Sequence, residues 1–148
     1  NYSISAKQIV AMYKKNVGYK LKHLKSKDYK TLESLMNRAI ENNAGFKAGI
    51  VDYNNQLVSA AFFMKSGNII SFFNGSSTLE GKSSGTMYLL FDEIFKRYSD
   101  QNYIFDFEGS TIKGIADFNK KFGAKDSIYL QIKKNSLPYI VKKISGRN

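Results

Sequence analysis

Between residues 46 and 73 three apolar-rich runs are separated by gaps of three residues. Phe46 to Tyr53 reads as a strand, Asn54-Asn55 as a tight turn and Leu57 to Lys65 as a second strand. Ser66-Gly67-Asn68 is another turn, and Ile69 to Phe73 a third strand. Gaps this short suit hairpins, whereas parallel neighbours need a crossover of about a dozen residues. The stretch is therefore held to an antiparallel meander. Its middle run contains Ala60-Ala61-Phe62-Phe63-Met64, apolar at odd and even positions alike. Such a strand belongs in the centre of a sheet, covered on both faces.

The flanking sequence supplies helices for that cover. Ser5 can cap a first helix, with Ile9, Met12, Tyr13 and Val17 along one face and Gly18 ending it. Asp28 is expected to cap a second helix, striped by Leu32, Leu35, Met36, Ala39 and Ile40. After the third strand comes the polar, glycine-bearing segment Asn74 to Gly85, then a helix striped by Met87, Leu90, Phe91, Ile94, Phe95 and Tyr98. Tyr103 to Phe107 reads as a fourth strand, and Ile112, Ile115, Phe118 and Phe122 mark a short helix closed by Gly123. Ile128 to Ile132 reads as a fifth strand, and Tyr139 to Ile144 fits either element type. The order is α-α-β-β-β-α-β-α-β. That predicts an α/β (α+β) mixed sheet with helices on both faces.

The chain has 148 residues, which fits a single domain over 1–148. It has no cysteine and one histidine, His23. Disulfides, thiolate metal sites, paired-histidine sites and a cysteine nucleophile are excluded. No apolar run approaches the ~20 residues of a membrane span, and no signal-peptide pattern is seen, so a cytoplasmic location is expected. The first residue is Asn1 rather than methionine, which suggests a trimmed start or a fragment. The formal charge is +11, with 14% aromatic residues. That balance suits a polyanionic ligand, whether nucleic acid or the phosphates of a nucleotide, and it equally suits simple solubility.

Four segments could carry chemistry. Gly75 to Ser83 ends in Gly81-Lys82-Ser83, like a phosphate-binding P-loop. That motif needs four residues between its glycines, and Ser76 to Glu80 makes five. The segment still opens a helix, so free N–H groups, Gly81, Gly85 and Lys82 could receive a pyrophosphate. The plain alternative is a solvated loop with Ser83 or Ser84 as N-cap. The second segment is Phe105-Asp106-Phe107-Glu108-Gly109-Ser110. Alternation puts Asp106 and Glu108 on one face if the strand runs that far, where they could serve as a general base or hold an amine. Asp106, inside an apolar run, is expected to be paired or shifted in pKa. Structurally, Glu108 or Ser110 could instead cap the next helix. The third is Phe118-Asn119-Lys120-Lys121-Phe122-Gly123, where Asn119 shares the apolar face and needs hydrogen bonds, to substrate or to backbone. The fourth is the basic stretch Lys20, Lys22, His23, Lys25 and Lys27, flanked by Tyr19 and Tyr29. It is either a stacking and phosphate surface or a solvated connector.

The element order, with its glycine-bearing loop between the third strand and the long helix, resembles the GNAT N-acyltransferase fold. The segments Phe105 to Ser110 and Phe118 to Gly123, and the strand around Tyr129, resemble the closing region of Fem-type aminoacyltransferases, which are built from two GNAT-like halves. The resemblance implies that this chain is a C-terminal half with an upstream GNAT-like half as partner. It implies transfer of an acyl group to an amine, the donor being acyl-coenzyme A (acetyl-CoA) or, less favoured, aminoacyl-tRNA, with no metal. On this reading Phe73, Asn74, Gly75, Lys82, Ser83, Ser84, Gly85 and Thr86 hold the donor. Backbone near Phe73 and Asn74 faces the oxyanion, and Glu108 or Asp106 is the base. The donor-loop signature is met by Lys82-Ser83-Ser84-Gly85-Thr86, with Met87 where a second small residue is usual. Asn119 stands where many relatives place a tyrosine acid, or a lysine in Fem-type enzymes, and Lys120 points about 100° away on the helix. The alternative is accordingly a non-catalytic half that packs on a catalytic partner or binds a polyanion. The acceptor is unspecified, and nucleic acid is not the favoured partner.

Overall fold

The computed structural model describes residues 3–109 and 112–127. They fall in two compact units, divided after Thr111. The first unit opens with α1 (Ala6–Asn16), a 3₁₀ turn (Gly18–Lys20) and α2 (Ser26–Glu41). The strands β1 (Gly45–Val51), β2 (Leu57–Ser66) and β3 (Ile69–Ser77) follow, then α3 (Leu79–Ser83), α4 (Thr86–Tyr98) and β4 (Ile104–Asp106). The second unit contributes α5 (Lys113–Lys120). The strand expected at 128–132, the segment 139–144 and Ser110 lie outside the described residues.

Local chemistry explains most of the boundaries. Ser5 starts α1 with a reciprocal cap: its hydroxyl accepts from the Gln8 N–H at 3.2 Å, and the Gln8 side chain accepts from the Ser5 N–H at 2.8 Å. Asp28 is not the cap of α2. The helix begins one turn earlier, and the Asp28 carboxylate reaches back to accept from the Lys25 N–H at 2.7 Å. Between β1 and β2, Asp52 Oδ1 accepts from the N–H groups of Asn54 and Gln56, which fixes the turn containing Asn55 at φ 58°.

The sheet order is β1-β2-β3-β4. The first three strands form the expected antiparallel meander, and β4 joins β3 in parallel after the α4 crossover. Val58 to Phe63 are all buried, so β2 is covered on both faces as its sequence requires. Ala60 and Phe62 pack among Ile9, Val10, Met36 and Ala39 of α1 and α2. Phe63 faces the other way, with its ring 5.9 Å from Phe91 of α4 and 5.8 Å from Phe72. Phe91 in turn lies 5.7 Å from Phe105 of β4. Among the described residues no helix is long and apolar enough to cross a membrane.

β3 runs four residues past the expected end, through Asn74-Gly75-Ser76-Ser77. Its polar end is held by hydroxyls: Ser59 Oγ lies 2.6 Å from Ser77 Oγ and 2.5 Å from Thr86 Oγ1, and Thr86 donates to the Gly81 carbonyl at 2.9 Å. The short helix α3 has no counterpart in the sequence pattern. Thr78 caps it by accepting from the Gly81 N–H at 3.0 Å. Gly81 presses on β2 so closely that a Cβ there would strike the Val58 carbonyl oxygen.

Two outcomes follow. Gly81→Ala forces α3 off β2 and is expected to cost about 1–3 kcal/mol, as overpacking does, read from urea denaturation. Tyr13 has its pKa raised above the ordinary tyrosine value, chiefly by burial and secondarily by the neighbouring Tyr29. The unfolded chain therefore loses this proton first, from about pH 10 upward. The stability linked to Tyr13 is fully present below that pH and is lost as pH rises through the higher folded value. Tyr13→Phe should flatten the fall in urea midpoint between about pH 9 and pH 11. An unchanged slope would exclude Tyr13 as its source.

Candidate active site

β3 and β4 pair over only three residues, Ile69 with Ile104 through Ser71 with Asp106. Beyond that point the two strands part. β4 ends because Glu108 and Gly109 both turn left-handed, each at φ 61°. The rest of β3 is left without β4 beside it. Within that stretch the β2–β3 register slips by one: Phe62 opposes Asn74, while Phe63 opposes Phe72. Phe73 is the extra residue of a β-bulge, which bends the strand and leaves backbone groups unpaired. The residue is 40% exposed, with its ring centre 6.3 Å from that of Phe62.

The bulge turns Asn74, the cross-strand partner of Phe62, toward the α1 side of the sheet, with Ser76 two residues on. Asn74 Oδ1 and Ser76 Oγ are both buried and, among the described residues, without a hydrogen-bond partner, and Ser76 is only 7% exposed. Such atoms cost roughly 1–3 kcal/mol each until something bonds them. Gly75 lies between them in the strand, not in a loop, and a side chain there would meet the Phe72 ring at 2.9 Å.

The strand leads into the start of α4. Neither Ser83 nor Ser84 is its N-cap: that position is Gly85, at φ 65°. Ser83 donates instead to the Glu80 carbonyl at 2.8 Å, closing α3. The first N–H groups of α4 have no intrahelical acceptor and carry the positive end of the helix dipole. A Cβ at Gly85 would meet only the Tyr88 ring, at 3.7 Å, so its surroundings are open. Lys82 and Ser84 are exposed beside it. The Thr86 hydroxyl is committed to Ser59 and Gly81, which leaves its backbone rather than its side chain for a ligand.

The two carboxylates do not share a strand face. The Asp106 carboxylate accepts from the Glu108 N–H at 2.7 Å, holding the left-handed turn. Both residues are exposed, so Asp106 is not the desolvated carboxylate its apolar neighbours suggested. Phe107 next to it stacks 5.3 Å from Phe91, anchoring the turn to the core. Asn119 belongs to α5 in the second unit. It is 8% exposed, and its carbonyl accepts from the Phe122 N–H at 3.1 Å. Gly123, at φ 77°, follows in the turn after α5 and donates to the Lys120 carbonyl at 2.9 Å. Residue order alone reveals neither the bulge nor the two unpartnered buried groups. Only the alternation of Asn74 and Ser76 within an otherwise polar run hints at them.

No family model matches the chain, and no curated protein matches it in sequence. Solved structures do. A predicted acetyltransferase from Clostridium acetobutylicum, solved with acetyl-CoA, superposes with a TM-score of 0.63 at 17% identity, over 88% of this chain and 92% of that one. A possible acetyltransferase from Clostridium difficile 630 gives 0.63 at 14% identity, over 90% and 92%. A ribosomal-protein-alanine N-acetyltransferase from Brucella melitensis biovar Abortus 2308 gives 0.59 at 8%, over 89% and 96%. The described architecture, a meander joined by a helical crossover to a diverging parallel strand, is thus the GNAT-like acetyltransferase fold.

Proposed function

We propose that the chain is an N-acyltransferase domain that takes its acyl group from acyl-coenzyme A. The observation that carries this is the parting of β3 and β4 beyond Ser71, which opens a strand edge leading to the start of α4. The residues fit the donor. The open edge of β3 offers backbone groups to amides. The α4 start, Gly85 and Lys82 offer N–H groups, close approach and a positive charge to a pyrophosphate. Acyl-coenzyme A, when bound, supplies an activated acyl carbon as a thioester.

The chain's own residues then have separable tasks. Backbone N–H groups at the Phe73 bulge and Asn74 donate to the oxygen on which charge develops. Glu108 takes the proton of the attacking amine. Asp106 positions Glu108 by holding its backbone at 2.7 Å. The C–N bond forms as the C–S bond breaks, and the thiolate gains a proton from solvent to balance the one Glu108 removes. A second reading, a binding half beside a catalytic partner domain, is favoured by the buried Asn119 where an acid is usual in the fold's enzymes. The Fem-type resemblance supplies that partner as an upstream half.

Acetyl-CoA at a hundredfold excess over its dissociation constant should stabilise the chain by about 2.7 kcal/mol, a rise of several degrees in melting temperature. Gly85→Asp should abolish the rise by placing a carboxylate at the pyrophosphate. Gly85→Asn, which bears the same left-handed strain without the charge, should keep most of it. No rise with millimolar acetyl-CoA would leave the binding-half reading ahead. In turnover, Glu108→Gln should lower kcat by roughly 10²–10⁴-fold with an unchanged melting temperature. Full activity in that variant would remove Glu108 as the base.

A further inference from the structure

The charge of this chain is not spread evenly. Residues 1–27 contain seven lysines and no arginine, aspartate or glutamate, so they hold +7 of the formal +11. The other 121 residues carry 16 basic and 12 acidic side chains and supply the remaining +4. Six of the seven, Lys14, Lys15, Lys20, Lys22, Lys25 and Lys27, fall at the end of α1, in the 3₁₀ turn and connector, and at the start of α2. All six are exposed, and among the described residues none of them makes an ion pair.

This placement runs against local helix electrostatics. Lys25 occupies the N-cap position of α2 and Lys27 its first turn, where the dipole is positive and a cation is disfavoured. The only acidic residue there is Asp28, already bonded to the Lys25 N–H. A bound anion would relieve this concentration of charge. The backbone is helical on both sides, so the lysines project from a framed surface and not from a tail.

The accompanying side chains narrow the kind of anion. Leu21 is half-buried and Leu24 packs against the core, so neither is free to enter a lipid bilayer as a membrane-surface helix requires. The large side chain left outside is Tyr19, 66% exposed, with the Lys20 ammonium 5.5 Å from its ring centre. A flat aromatic surface among lysines fits phosphates joined to stackable bases. Lysines act as point charges on phosphate and do not read base edges in pairs as arginine does.

We propose that this face, from the end of α1 to the first turn of α2, binds single-stranded nucleic acid through its phosphates and one stacked base, without sequence preference. The test is fluorescence anisotropy of the full chain with a labelled oligouridylate over a salt series. Lys20→Glu with Lys22→Glu should weaken binding about tenfold or more and make the salt slope shallower, by about 0.7 for each phosphate no longer neutralised. Lys96→Glu with Arg97→Glu, the same charge change at exposed sites of α4 on the other side of the sheet, should stay within about twofold, the long-range effect of net charge alone. Tyr19→Ala should weaken the oligouridylate roughly fivefold or more and leave competition by inorganic polyphosphate unchanged. Equal losses in the two double variants would overturn the proposal by assigning binding to net charge. So would an unaltered Tyr19→Ala protein, or binding to phosphatidylglycerol vesicles without binding to the oligonucleotide. Both double variants should retain the acetyl-CoA melting shift, which separates failure here from failure of the acyltransferase reading.

Discussion

A strand that is apolar on both sides cannot rest against water on either. β2 therefore requires two covers, and the rest of the first unit is the supply of them. Phe62 and Phe63 point opposite ways and are both wholly buried. Each is worth about 1.5–3 kcal/mol in burial, and each recruits a different helical layer. Phe62 gathers α1 and α2, and Phe63 gathers α4. With α4 on the Phe63 side, the chain leaving it rejoins the sheet as a parallel neighbour of β3. The parting of β3 from β4 then begins where the left-handed turn at Glu108 and Gly109 ends β4.

The elements that bury apolar stripes are legible from residue order: the meander, the striped helices, the Ser5 cap and the double burial of β2. What stays hidden depends on backbone geometry or on polar groups satisfying one another. Asn74 to Ser77 reads as loop because its residues are polar and small. In the fold, the Ser77 hydroxyl is satisfied by Ser59, 18 residues away, and Ser59 in turn meets Thr86, 27 residues away, which no local pattern reveals. The five residues of α3 are too few to show a stripe. The serines at 83 and 84 fit an N-cap by type, but Gly85 takes the position because the chain arrives there left-handed. Alternation places Asp106 and Glu108 together, and alternation fails where the strand stops.

Strain and opening are coupled at that stop. A non-glycine residue in the left-handed region costs roughly 1–2 kcal/mol, and Glu108 bears it where Gly109 next door does not. The bond from its N–H to Asp106 and the stacking of Phe107 on Phe91 oppose that cost. The result is an exposed glutamate on a turn fixed on both sides, directly after the end of β4. Two exposed acids close in sequence are thereby given unequal work, one bonded to backbone and one facing outward.

Phe73 is supernumerary to the ladder. The partners of β2 run from Phe72 directly to Asn74, so the sheet counts one residue fewer than the chain does. A strand in perfect step would keep every pairing that now exists. What it would lose is the bend. The ladder can spare Phe73, and the bend cannot.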